Sequence, residues 1–366
     1  MSTFKVELKK ISKIYPHSNA DKLELAQVEG MTYQFAIPKN VYKTQDELIY
    51  FPVDSLLPPE FVEQQGIANF LAGKNRVKTV TLRGEISQGY VASIESIKRY
   101  LKVDSLPEDL TTALGVIKYE PPEIKTSTGN LVARPACVYY YDIEGCERFP
   151  HILDKLMDLP CMISEKLEGT NYWCSINPEK KITVGQHDNA IENIPDKPEH
   201  YFWSITRRQG FMEVLQQLSE RFVDSTVTIR GEAIGPGVQG NYYRFKTLTA
   251  FIFDIEVNAK AINYQELEGL LDEFKLNSMF VPVLSKGVTL REWLKGRTVA
   301  QASNGISCLN PTESTMQLYT ITQKDKDIKK IREGIVIKPM VEQYEIGFGR
   351  LFLKQRDPIY LDETGN

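Results

Sequence analysis

"MISEKLEGTNYW", residues 162–173, places Lys166 between Glu165 and Glu168 and follows it with Gly169, Thr170 and Asn171. The apolar lead-in reads as a strand with charge at its end. A lysine meant only for a solvated surface needs no such setting, and one meant to attack a substrate must lose its proton. Adjacent carboxylates oppose that loss, because they stabilise the ammonium form. An ordinary lysine titrates near 10.4, so roughly one in a thousand or fewer is neutral at pH 7. Whatever activates Lys166 must come from elsewhere in the chain or from a bound group.

Three further segments place charge in or beside an apolar strand. They are "IRGEAIG" (229–235) around Glu232, "REGIVIKP" (332–339) with Glu333 and Lys338, and "LFLKQRD" (351–357) with Lys354 and Arg356. Half-buried charges are costly unless paired or bound to a ligand. Glutamates and cations converging on one pocket would suit a metal ion and a polyphosphate. Taken singly, each has a plainer reading: Lys166 as a solvated lysine, Glu232 and Glu333 as partners of Arg230 and Arg332.

The remaining composition narrows the class. The 366 residues fit two domains, and 42% apolar with 25% charged residues is ordinary for a soluble globular protein. No run approaches the roughly 18–20 uncharged apolar residues of a membrane span. The start, "MSTFKVELKKISKIYP", lacks the apolar core of a secretory signal, so the expectation is a cytoplasmic protein with no membrane partner. Five scattered cysteines without a C-x-x-C pair predict free, buried thiols in a reducing compartment. The four histidines form no metal pattern. A net charge of −4 excludes a generally basic surface but not a local basic groove. Lys74, Arg76, Lys78 and Arg83 read either as a nucleic-acid-contacting strand or as a solvated face.

The first hundred residues alternate in the manner of short strands: "FKVELKKI", "KLELAQVEG", "YQFAIPKNV", "ELIYFPVDS" and "KTVTLRGEISQGYVASI". They predict a small barrel or sandwich. Helical and loop material ("LPEDLTTALGV") follows, and "KYEPPEIKTSTGN" reads as a linker. Beyond it, "PHILDKLM" and "GFMEVLQQLSERF" have helical spacing, whereas "STVTIRGEAIG", "LTAFIFDIEV" and "REGIVIKPM" read as strands. "EGLLDEFKLN" to "REWLKGRTVAQ" reads as a helical or mixed elaboration on one side.

In series, these segments resemble the covalent nucleotidyltransferases. "EKLEGTN" is similar to their lysine motif, "RGEAIG" to motif III, "FIFDIE" to motif IIIa, "EGIVIKP" to motif IV and "LFLKQR" to the final lysine motif. One K-x-x-G is weak; five segments in family order are not. "HSNADKLELAQVEG" and "LRGEISQGY" resemble OB-fold tRNA-binding domains. An OB-like domain placed before the lysine motif is the layout of family-5 RNA ligases. Only residues 355–366 follow Lys354, so no second OB domain is expected there. The resemblance thus implies an α+β protein: an N-terminal OB-fold β-barrel over 1–118, then an adenylyltransferase ligase domain with ATP-grasp-like antiparallel sheets and helices over 119–366.

It also implies chemistry. Lys166 would be the catalytic nucleophile, joined to AMP, in an ATP-dependent RNA ligase that seals a 3′-OH RNA end to a 5′-phosphate, with a nicked duplex the expected substrate. Glu168, Glu232 and Glu333 would hold Mg²⁺ or Mn²⁺, largely through its water shell. The metal would outweigh the carboxylate field and favour the neutral amine. Glu165 would read the adenine amino group and Phe253 would stack on the ring. Asn171 would face the ribose or the RNA end, Lys338 the phosphates, and Lys354 and Arg356 the pyrophosphate. Where many members carry a ribose-binding arginine, "VGQHDNA" offers Gln186, His187 and Asp188. His187 replaces it, or the arginine comes from another segment. Phe253 and His187 also read as structural residues. The rival functions are an RNA guanylyltransferase and a non-catalytic tRNA- or RNA-binding protein.

Overall fold

The alternating N-terminal segments form strands where their patterns place them. In the computed structural model, which describes residues 4–71, 73–119, 130–194, 199–321 and 329–364, five of them make an antiparallel sheet. Its order is Phe35–Pro38, Leu23–Val28, Glu7–Pro16, Glu47–Phe51, Tyr90–Ala92. The hairpin Thr79–Leu82/Glu85–Gln88 then runs beside the first edge. Ala36 N donates to Ser87 Oγ (3.0 Å), Gln88 N to Gln34 O (2.8 Å), and Gln34 Nε2 to Ile86 O (2.8 Å). Gln88 leads within two residues into Tyr90 on the opposite edge, so the sheet curls into a nearly closed, OB-like barrel. Ile11, Phe35, Ile37, Leu48 and Tyr50 fill its interior.

The two quoted turns of this barrel are tied together. Asn19 N donates to His17 Nδ1 (3.1 Å), which leaves the ring proton on Nε2 to donate to Leu82 O (2.9 Å). Asn19 Nδ2 donates to Arg83 O (3.0 Å). "HSNAD" therefore locks one loop onto the "LRGE" turn. Arg76 is buried, its Nε 2.9 Å from Asp54 Oδ1 and its guanidinium 3.8 Å from the Tyr119 ring. Of the basic residues singled out above, it is a packing residue and offers no free charge to a polyanion.

Contacts divide the chain into two units. The first holds Met1–Pro122 with Cys146–His151 and Pro358–Asn366; the second holds Glu123–Gly145 and Ile152–Asp357. The chain thus returns twice to its first unit. The linker segment 118–130 lies mostly outside the described residues.

Among the described residues, the second unit contains two large sheets and the small ribbon Tyr344–Glu345/Gly349–Arg350. One has seven strands, ordered Asn130–Ala133, Asn189–Glu192, Ile182–Gln186, Thr170–Ile176, Val227–Ile234, Thr249–Val257, Lys260–Ala261. The other has five: Glu144–Gly145, Leu353–Arg356, Gly334–Pro339, Pro160–Lys166, Val283–Thr289. All pairings are antiparallel except that of Glu144–Gly145 with Leu353–Arg356. Helix Phe211–Arg221 shows the i, i+3, i+4, i+7 spacing of a one-sided helix, and Phe211, Val214, Leu215 and Leu218 bury that side in the core shared with Tyr172, Cys174 and Ile229. Helix Tyr201–Arg208 precedes it, capped by His200, whose Nδ1 accepts from Phe202 N (3.1 Å); burial pushes that imidazole down to about 4.

Two expectations need correction. Cys137 and Cys308 are exposed thiols, and only Cys146, Cys161 and Cys174 are buried. The region expected to be an elaboration on one side supplies strand Val283–Thr289, which pairs with Pro160–Lys166 itself. Its sequence, "VLSKGVT", has too little apolar content to announce a strand, and its exposed edge position explains why none is needed. Among the described residues, no helix is long and apolar enough to cross a membrane.

Candidate active site

Pro160–Lys166 ends in one sheet and Thr170–Ile176 begins in the other, so residues 167–169 carry the chain between the sheets and Lys166 sits at the crossing. Gly169 is required here by close approach and not by backbone angle. A Cβ at this position would lie 2.6 Å from Ala233 O and 2.8 Å from Glu232 Cγ. Only a hydrogen lets the lysine turn lie flat on the strand carrying Glu232. Above it, Glu168 N donates to the buried Tyr243 hydroxyl (3.0 Å).

Lys166 Nζ is 2.6 Å from Glu333 Oε1, which reaches it from the segment entering Gly334–Pro339. Burial opposes the lysine charge, but Glu333, Glu232 and Glu168 outweigh it and hold its pKa above the ordinary lysine value. Burial pushes the Glu232 carboxyl up to about 8, with Glu333 and Glu168 adding to the effect and Lys166 and Lys354 opposing it. Three carboxylates therefore act on one amine. The plainer pairings are not the ones formed: Arg230 is bound to Glu256 (3.0 and 2.9 Å) and not to Glu232, and Glu333 meets Lys166 and not Arg332.

Lys354 lies two residues from Arg356 on Leu353–Arg356, which pairs with Gly334–Pro339. Its Nζ is 3.4 Å from Asp142 Oδ1, and its charge reaches Glu232. Arg356 is half-buried opposite Gly334. Asn171 stands opposite Glu232, and its Oδ1 accepts from His187 N (3.1 Å). His187 occupies a positive-φ turn position (41°) with its ring exposed. These two are brought together by a backbone contact, and the imidazole takes no part in it.

Glu165, the neighbour of Lys166, is 1% exposed. Its carboxylate accepts from the Ser307 hydroxyl and from Cys308 N (2.7 Å). Burial pushes this carboxyl up, while Ser307, Cys308 N–H and the Arg332 charge pull it back.

Lys338 does not point its amine at open space. Its Nζ donates to Phe253 O (2.9 Å) and Asp254 Oδ2 (2.8 Å), and the side chain is buried. Arg350 adds two bonds to Asp254 (2.7 and 3.1 Å) and two to Glu342 (2.6 and 2.5 Å), and the Tyr141 hydroxyl donates to Asp254. Burial alone would raise the Asp254 carboxyl, yet Arg350 and Lys338 hold it well below the carboxylate range. The half-buried Phe253 ring lies on this network, 5.1 Å from Tyr141 and 5.4 Å from Lys338 Nζ. Sequence reasoning stopped at Phe253 in "FIFDIE" and missed Asp254, Arg350 and Tyr141. The signal was present in the acid at position 254 of an otherwise apolar strand, but nothing local names its partners.

A divalent cation was expected at Glu168, Glu232 and Glu333. Among the described residues, no three His, Cys, Asp or Glu side chains are grouped to hold an ion directly. Glu333, Glu232 and Glu168 all act on Lys166, and their carboxyl oxygens are the donor type that a hydrated divalent cation takes.

The RNA ligase family model matches residues 159–355, and an OB-fold domain model matches residues 5–94. No curated protein sequence matches the chain. Among solved structures, a Naegleria gruberi RNA ligase variant with ATP and Mn is 21% identical, with 99% of each chain covered and a TM-score of 0.75. A variant of that ligase with AMP and Mn is 22% identical over 97% of each chain, with a TM-score of 0.73. The same ligase with pyrophosphate is 21% identical over 98% of each chain, with a TM-score of 0.74. The family match spans more than half of the 366 residues and includes the lysine turn, its carboxylates and the charge network beneath Phe253: the chain belongs to the RNA ligase family.

Proposed function

We propose that this RNA ligase uses ATP and a divalent cation, Mg²⁺ or Mn²⁺, to seal 3′-OH and 5′-phosphate ends, with Lys166 as the AMP acceptor. The observation that carries the reading is the Lys166–Glu333 contact at 2.6 Å at the crossing of two sheets, with Glu232 and Glu168 also acting on the amine. Once Nζ has given up a proton to solvent, Lys166 attacks the α-phosphorus of ATP; an N–P bond forms, the bond to the β-phosphate oxygen breaks, and pyrophosphate leaves. A 5′-phosphate oxygen of RNA then attacks the same phosphorus and releases the lysine. The 3′-OH attacks the capped 5′-phosphate, and AMP departs. Each step is a single displacement by a positioned nucleophile.

As it stands, the amine is held in its charged form, paired with Glu333. Glu168, Glu232 and Glu333 would hold a divalent cation, whose positive charge would offset these carboxylates. Glu333 accepts the hydrogen bond that aims Nζ. Lys354 and Arg356 offer positive charge to the departing pyrophosphate. Glu165 and Phe253 meet the base, and Asn171 meets the ribose or the RNA end. Lys338, held by Asp254, positions the Phe253 strand from behind. Residues 1–118 supply the RNA-binding barrel, since OB folds bind nucleic acid through a groove with cationic side chains.

Incubation with labelled ATP and Mg²⁺ or Mn²⁺, followed by peptide mass spectrometry, tests the assignment. AMP on Lys166, lost in Lys166→Ala, supports it. An adduct on another lysine, or a GMP adduct formed from GTP in preference, overturns it.

A further inference from the structure

Glu165-Lys166 lies beside Arg332-Glu333, so each segment contributes one carboxylate and one cation. Lys166 stands opposite Gly334 and Glu165 opposite Ile335. The Lys166–Glu333 pair is closed at 2.6 Å. The other pair is held open. Glu165 and Arg332 form no ion pair among the described residues: the Glu165 oxygens are taken by Ser307 and Cys308 N, and Arg332 Nε is buried with no hydrogen-bond partner. The guanidinium lies against Gly305, where any Cβ would be driven into it.

The segment that separates them is built firmly. Arg332 N donates to Gly305 O (2.9 Å) and Ser307 N to Lys330 O (3.0 Å). Asn310 Nδ2 donates to Ser307 O (2.8 Å), and its Oδ1 accepts from Lys330 N (2.7 Å). Ser307 Oγ accepts from Leu309 N (3.1 Å) while donating to Glu165, and Tyr319 closes the turn through Leu309 O (2.7 Å). An ionised carboxylate offers about four acceptor sites. Two are filled here, which leaves capacity beside a donor that has no partner. An acceptor next to a donor, one residue from the nucleophile, complements a ligand edge with an amino group beside a ring nitrogen. Adenine presents that edge.

We propose that Ser307 and the Cys308 amide are positioning groups that aim Glu165 at the amino group of adenine, and that Arg332 donates to the neighbouring ring nitrogen. The proposal rests on the reading that ATP is the nucleotide and that Glu165 faces its base. A 6-oxopurine puts a carbonyl against the carboxylate and turns N1 into a donor facing Arg332, so ITP, which replaces the amino group, is the discriminating probe for a base met at N6 and N1.

The test is lysyl-nucleotide formation by the full chain from ATP and from ITP. The unaltered chain is expected to prefer ATP by about 10²-fold or more in kcat/KM. Ser307→Ala should cut that preference at least tenfold, mainly through KM for ATP, and Ser307→Thr should restore it; Arg332→Gln should cut it likewise. An ATP-to-ITP ratio unmoved in Ser307→Ala and Arg332→Gln overturns the proposal while leaving the ligase reading intact. No adduct from either nucleotide in the unaltered chain overturns that reading instead. A second measurement needs no variant. Cys308 and Cys137 are exposed, so iodoacetamide labelling of each can be followed by peptide mass spectrometry. ATP should slow labelling at Cys308 and leave Cys137 unchanged; equal labelling of Cys308 with and without saturating ATP overturns the placement of the base.

Discussion

Replacing Asp254 with Asn tests whether the charge network under Phe253 holds the ligase unit together. Asp254 is 2% exposed and faces two cations, Lys338 at 2.8 Å and Arg350 at 2.7 Å, besides the Tyr141 hydroxyl. Asparagine keeps the shape and removes the carboxylate charge that Lys338 and Arg350 share. Breaking a buried pair by removing one partner costs about 3–5 kcal/mol, because an uncompensated charge stays behind. One route limits the loss: burial already lowers the Lys338 pKa, so that amine can shed its proton. The expected loss is therefore about 3–4 kcal/mol, and Lys338→Met, which leaves Asp254 paired with Arg350, should cost less. Urea unfolding followed by tryptophan fluorescence reads the answer cleanly, since Trp173, Trp203 and Trp293 all lie in the second unit. The sign with pH follows from the depressed Asp254 carboxyl. Its contribution is fully present above the unfolded carboxylate pKa of about 3.9 and is lost as pH falls through the lower folded value. The gap between the two proteins should hold from pH 5 to 8 and narrow in acid. A loss under about 1 kcal/mol, or a gap that widens in acid, would refute the reasoning.

Three shorter predictions concern other parts of the chain. Gly169→Ala drives a Cβ to 2.6 Å from Ala233 O and should destabilise the second unit by about 1–3 kcal/mol in the same urea assay; a change within 0.5 kcal/mol would mean that the lysine turn yields easily. Arg76→Ala should lower the melting temperature of the barrel, followed by far-UV circular dichroism, yet leave the salt dependence of RNA binding unchanged because its charge is spent on Asp54; a shallower salt slope would make it an RNA contact. A chain beginning at Lys118 should still form lysyl-AMP but seal pre-adenylylated RNA poorly, once its folding is checked, since it keeps Cys146–His151 and Pro358–Asn366 without the unit they join. Equal sealing rates would remove the barrel from RNA binding.

Some of this was legible in residues 1–366 without coordinates. Strand periodicity along "FKVELKKI" and "LTAFIFDIEV", helical spacing in "GFMEVLQQLSERF" and the order of the charged segments depend on neighbours a few positions apart, and such signals survive in one dimension. They were enough to place strands and helices; the fold class came from the family resemblance of the motifs in series, and Lys166 as AMP acceptor is our proposal. Partners were another matter. Lys166 meets Glu333 across 167 positions of chain, Glu165 meets Ser307 across 142, and Asp254 meets Arg350 across 96. Nothing in "IRGEAIG" says that Arg230 turns to Glu256 and leaves Glu232 to the lysine, because alternation along a strand assigns a face and not an opposite number. Strand order and register choose those, and they are settled only when the two sheets and the Gly305–Asn310 turn pack together. The sequence alone therefore determined which residues carry charge into the interior; the tertiary structure decided which of those charges pair with which.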